Sequence, residues 1–233
     1  AGEDPKALEC IPMLKRSDIK KEAAKIVNEE LTVDNSLFLY HDVCTNGIGY
    51  VDLMFKTDSI APEQIPYLGL LKSVLGYVDT EHYTYGELFN EINANTGGIN
   101  CGVEVFDRAD STEEFQAMFS VRGKALYTKM DFLFKMIGEI LNSSKLEDTK
   151  RLYEIVASVK SRAQVNLTGA GHSTAVLRAA AYSSPMAAFQ DEMAGIGYYQ
   201  FIEKLEKDFE QRKEETVEEL CKLMKKILRP ENF

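Results

Sequence analysis

From Leu126 onward the apolar residues recur at spacings of three and four, whereas ahead of Val121 they alternate in short runs broken by two helical stretches. This change of period is the strongest constraint on the fold. Alternation puts successive side chains on opposite faces of a strand, while a three-four spacing puts them on one side of a helix. Strands first and helices afterwards, without βαβ alternation, predict an α+β domain: an antiparallel sheet with helices packed on one face. The strands fall mainly within 36–122 and the helices within 126–229. A single domain is therefore expected over 31–233, preceded by a linker or docking segment over 1–30.

Two strand-like runs flank Thr45-Asn46-Gly47, and Asn-Gly predicts a tight hairpin turn between them. In the second run Val51, Leu53 and Phe55 point one way and Tyr50, Asp52 and Met54 the other. Pro62 suits a first helical turn, and Ile65, Leu68, Leu71 and Leu75 follow at helical spacing. Another helix starts near Thr84 and stops at Gly97-Gly98. Cys101, Val103 and Val105 then alternate, as do Phe115, Ala117, Phe119 and Val121. Further on, Met130, Leu133, Phe134, Ile137 and Leu141 line one helix face, and Leu152, Ile155, Val156, Val159 and Ala163 the next. Tyr198, Phe201, Ile202, Leu205 and Phe209 line a third, and Val217, Leu220, Cys221, Met224 and Leu228 a fourth.

The formal charge of −10 and the absence of a basic stripe argue against nucleic-acid binding. The acidic surface reads as a solubility device, with attraction of cationic peptides as the alternative. No apolar run approaches eighteen residues, so no membrane span is expected. The first ten residues, AGEDPKALEC, contain no apolar signal region, and the missing initiator Met implies processing or a longer parent chain. Cys10, Cys44, Cys101 and Cys221 are far apart and form no C-x-x-C pair; they read as reduced, mostly core-packed thiols.

Zinc peptidases set two histidines four apart on a helix with a glutamate beside them. His41, His82 and His172 lie too far apart for either order of that motif. Glu87 and Glu91 share a helix face behind His82, which reads as a solvated acidic face rather than a metal site. TGAGHSTAV (168–176) opens a helix with glycines but lacks the Lys-Ser/Thr of a phosphate loop, so a structural loop capped by His172 or Ser173 is expected. Asp107, Asp110, Glu113 and Glu114 lack calcium-loop spacing, and Ser111-x-x-Glu114 reads as a capping or turn element.

The stretches TNGIGYVDLMF, LKSVLG, INANTGGI, GAGHSTAVLRAAA and DEMAGIGYYQFIEKLE, in this order, resemble the pitrilysin/insulinase-type inverted zinc metallopeptidases. The match is to the third, non-catalytic domain of the presequence protease and falcilysin branch. Gly171-His172, Arg178, Glu192, Gly195 and Tyr198 carry the most specific part, and the resemblance spans about 8–233. In such proteins four similar α+β domains form two bowl-shaped halves around a chamber. Laying the family's H-x-x-E-H on this chain puts its positions near Tyr67, Leu70 and Leu71, which offer neither imidazole nor carboxylate. The remaining glutamate ligand falls on the helix of Glu154. The resemblance therefore implies no catalytic residue, metal or cofactor in this chain, with zinc in the parent enzyme. It implies a chamber wall whose partners are the other peptidase domains and unfolded peptides, without nucleic acid or membrane, in a bacterial-type cytoplasm or an organelle matrix. Tyr50, Asp52, Met54, Glu104 and Phe106 are the candidate chamber-facing residues, although the same face would equally serve packing under a neighbouring domain. The alternative is a free-standing scaffold protein built on an inactive peptidase domain.

Overall fold

A computed structural model describes residues 10–22, 25, 27–34 and 36–233, apart from the Thr112 side chain. The described residues divide into two compact units, one ending at Cys44 and the other running from Thr45 to Phe233. Of the expected linker or docking segment 1–30, residues 1–9, 23, 24 and 26 lie outside the described residues. Its described part includes a single turn of 3-10 helix, Arg16–Asp18.

The first unit contains a hairpin of β1 (Glu29–Val33) and β2 (Ser36–Tyr40), with Leu31 opposite Phe38. This corrects the hairpin expected at Asn46-Gly47. β2 pairs back with β1, not forward with β3 (Ile48–Lys56), because two residues between paired Val33 and Ser36 already allow the shortest hairpin connection. Asn46 and Gly47 do take the left-handed φ of 53° and 83° that a tight turn needs. Their turn instead leads the chain into β3.

In the second unit a three-stranded antiparallel sheet runs in the order β3-β5-β4, with β4 spanning Ile99–Arg108 and β5 Ser111–Leu126. The helices are α1 (Ile65–Val74), α2 (Tyr85–Asn95), α3 (Met130–Ser143), α4 (Thr149–Gly169), α5 (Gly171–Ala180), α6 (Pro185–Ala194), α7 (Ile196–Lys207) and α8 (Phe209–Ile227). Helices cover the sheet face bearing Val51, Leu53, Phe55, Cys101, Val103, Val105, Ala117, Phe119 and Val121, and one apolar core joins them. The domain is α+β, with its helices on one side of the sheet.

The helix faces differ from the sequence reading in places. In α3 Met136 and Ile140 are buried while Phe134 is exposed. In α8 the buried face is Thr216, Leu220, Leu223 and Ile227, and Val217, Cys221 and Met224 flank it. Helical spacing fixes a stripe but not which edge of that stripe the neighbouring helices cover. The expected loop before α5 is also corrected. Ala170 alone interrupts the helix (φ −124°, ψ 39°), and neither His172 nor Ser173 caps α5. Among the cysteines only Cys101 and Cys221 are half-buried against the core; Cys10 and Cys44 are exposed. Burial pushes the Cys101 thiol up to about 12, so it is no nucleophile at neutral pH.

Candidate functional site

α1 holds the positions onto which the zinc motif falls. Pro66 opens it, and it is buried on nearly all sides: Leu68 and Leu70 are 0% exposed, Leu71 1% and Tyr67 6%. The Tyr67 ring packs edge-on against Phe201 with centroids 4.9 Å apart. Its hydroxyl accepts from Arg212 Nη2 at 2.8 Å and donates to Glu215 Oε1 at 3.4 Å, while burial raises its pKa. Gly69 lets α7 approach closely, because a Cβ there would stand 2.8 Å from Tyr198 Cε2 and 3.0 Å from the Met193 carbonyl oxygen. Leu70 and Leu71 have no donor atoms, and Glu154, on α4, pairs instead with Arg151 at 2.9 Å. This set does not fit zinc. Among the described residues no group of three His, Cys, Asp or Glu side chains converges on a common point.

The other candidate residues have local structural partners. His82 Nδ1 lies 3.0 Å from Glu139 Oε2, not from Glu87. Glu87 closes a capping box at the start of α2, accepting from Thr84 N–H at 2.9 Å while its own N–H donates to Thr84 Oγ1 at 3.3 Å. Glu91 accepts from Asn95 Nδ2, and His41 Nδ1 lies 2.7 Å from Val27 O. In the β4–β5 turn Ser111 Oγ accepts from Glu113 and Glu114 N–H, and Arg108 pairs with Asp110 and Glu114, each at 3.1 Å. His172 is exposed in the first turn of α5.

The most family-like stretch, residues 191–206, is organised by a residue that spacing did not single out. Asp191 is 1% exposed and accepts from Arg178 Nη1 at 2.6 Å and from the N–H groups of Ile196 and Gly197, each at 3.1 Å. One carboxylate on α6 thus caps α7 and anchors α5. Gly195 leaves room for it; a Cβ there would meet Asp191 Oδ1 and stand 2.9 Å from the Asp191 Cα.

Tyr50, Asp52 and Met54 on β3 share the sheet face away from the core with Glu104 and Phe106 on β4, and central β5 supplies the residue that joins them. Arg122 Nε donates to Asp52 Oδ2 at 2.7 Å, and its Nη1 lies 3.1 Å from Glu104 Oε1. The Asp52 hydrogen bond leads in raising the arginine's pKa. Tyr50 and Phe106 flank this bridge, 64% and 45% exposed. An ion pair as open as this adds little stability, so its effect is to hold side chains in place across three strands. Arg122 carries no sequence motif; strand register alone sets it opposite Asp52.

The family model for the peptidase-associated domain of the M16 metallopeptidases, subfamily C, matches residues 1–205. The chain belongs to that family. It is 35% identical over 221 residues to Protein HypA of Clostridium perfringens, covering 95% of this chain and 22% of that protein. The mitochondrial presequence protease of Yarrowia lipolytica is 29% identical over 210 residues, covering 90% of this chain and 21% of the relative. Presequence protease 1, chloroplastic/mitochondrial, of Arabidopsis thaliana is 29% identical over 203 residues, covering 87% and 19%. The chain therefore spans about a fifth of the length of these relatives. Among the described residues no helix is long and apolar enough to cross a membrane.

Proposed function

We propose that the chain is a non-catalytic wall domain of a longer zinc metalloendopeptidase that degrades unfolded peptides, with zinc and catalytic residues carried by another part of that polypeptide. The observation that carries this reading is α1. Where the resembled catalytic domain needs two imidazoles and a carboxylate, this helix supplies Tyr67, Leu70 and Leu71, all within the core. Its identity with the mitochondrial and chloroplast presequence proteases adds weight. The domain's contribution is shape: a wall that encloses a peptide excludes water and commits the substrate to cleavage elsewhere in the chamber. The open face of Tyr50, Asp52, Met54, Glu104 and Phe106 is its peptide-contacting side. The other domains of the peptidase are its partners, in a bacterial cytoplasm or an organelle matrix.

Metal analysis by mass spectrometry on the purified chain, paired with cleavage of a quenched-fluorescent peptide, tests the reading. The expected result is neither bound zinc nor chelator-sensitive cleavage. Stoichiometric zinc accompanied by cleavage would overturn it.

A further inference from the structure

The edge of β3 carries information beyond its side chains. Thr57 N–H donates to Ala117 O at 3.3 Å, and Tyr127 N–H donates to Gly47 O at 2.9 Å. Between these two bonds the register with β5 runs without a slip from Ile48 opposite Leu126 to Lys56 opposite Met118. Hydrogen-bonded and non-hydrogen-bonded pairs alternate along an antiparallel ladder, so the odd-numbered residues of β3 bond to β5. Tyr50, Asp52 and Met54 turn their N–H and C=O groups away, and none of the described residues supplies those groups with a partner. The opposite edge is different: α1 packs against β4 there.

We propose that the free edge of β3 takes one strand of an extended, unfolded peptide, pairing with the backbone of Tyr50, Asp52 and Met54. This rests on the wall-domain reading and gives that wall its mode of recognition. Pairing through backbone groups tolerates varied sequences, and alternate side chains add selectivity. On the core side the added strand would lie beside Val51 and Leu53, which are only partly buried, so apolar residues at every second position fit best. On the open side it would pass Tyr50 and the Asp52–Arg122 pair, which favour polar neighbours. A permanent apolar cover would strip water from that ion pair, whereas a passing peptide need not. The bond from Tyr127 to Gly47 closes one end of the free stretch, and Phe233, 5.2 Å from the Phe55 ring, flanks the other.

The test uses the whole chain and a fluorescein-labelled eight-residue peptide of alternating Val and Thr, with two relatives N-methylated at the Val or at the Thr amides. Anisotropy should show that one methylated peptide binds at least about tenfold more weakly while the other keeps its affinity, since only one alternate set of amides faces β3. Amide exchange at Tyr50, Asp52 and Met54 should slow on peptide addition. Equal binding by all three peptides, or protection elsewhere in the sheet, would overturn the edge assignment and leave the wall reading standing. Slow exchange at these amides before any peptide is added would overturn it too, by revealing a resident strand. Failure of every unfolded peptide to bind would remove both the edge and the wall as peptide contacts, while the zinc and cleavage result would still decide the non-catalytic assignment by itself.

Discussion

At the scale of single residues, the strongest polar contacts join positions remote in sequence. Glu139 is 9% exposed, on the buried side of α3 between Ile137 and Ile140. Burial by itself would raise its pKa, but hydrogen bonds from Thr80, from His82 N–H at 3.1 Å and from the His82 ring pull harder and leave it lowered. A lowered folded-state pKa means that the native protein holds the charged carboxylate more firmly than the unfolded chain does. Its contribution is then complete above the unfolded value, roughly 4.3, and is lost as pH falls through the folded value. Urea unfolding of the wild type should therefore lose stability steeply below about pH 4, and Glu139→Gln should flatten that loss while lowering stability at pH 6. Parallel pH profiles for the two proteins would exclude Glu139 as the group responsible. None of this was legible in the sequence: His82 and Glu139 are 57 positions apart, and Arg122 and Asp52 are 70 apart. A motif search reads neighbours along the chain, and these contacts exist only after the sheet and helices have assembled. Asp191 and Arg178, 13 apart, lie nearer the limit of what spacing reveals.

At the scale of elements, periodicity was an adequate guide to what each segment is and a poor one to what it touches. α1 was legible from Pro62, Ile65, Leu68, Leu71 and Leu75, yet it is buried almost all round, including Leu70 and Val74. A helix enclosed on every side accepts no charge. Restoring the zinc motif by Tyr67→His, Leu70→Glu and Leu71→His should therefore unfold the domain rather than create a metal site. Leu70→Ala alone should cost about 2–5 kcal/mol for the lost contacts and the cavity. Leu70→Glu should cost more, since a carboxylate would replace a 0% exposed side chain with no cation beside it. Circular dichroism and urea midpoints measure all three; a folded triple variant that binds zinc would mean that α1 is far more accommodating than its packing implies. The hairpin at Asn46-Gly47 failed as an expectation for a related reason. The left-handed residues fix a turn, but β2 had a nearer partner in β1, and turn chemistry does not choose between strands.

At the scale of the molecule, the two units differ in how much apolar surface each encloses. Every residue of the main core lies between Phe55 and Ile227, and the partly buried residues packed on it run from Val51 to Leu228. The described part of the first unit contributes none of them. Its hairpin leaves Leu31, Val33, Leu37, Phe38, Leu39 and Tyr40 between 40% and 65% exposed, and a lone two-stranded hairpin is marginal in water. Folding of the Thr45–Phe233 unit thus draws its hydrophobic driving force from within itself. A chain beginning at Thr45 should keep a single cooperative urea transition and native near-ultraviolet dichroism. Amides of β1 and β2 in the full chain should exchange far faster than those of β5, which is central and paired on both sides. Loss of the cooperative transition on removing residues 1–44 would show that the hairpin supplies burial to the larger unit. If the transition survives, the hairpin's apolar side chains remain as surface that intramolecular packing does not require, which is the condition under which exposed apolar residues mark a docking face.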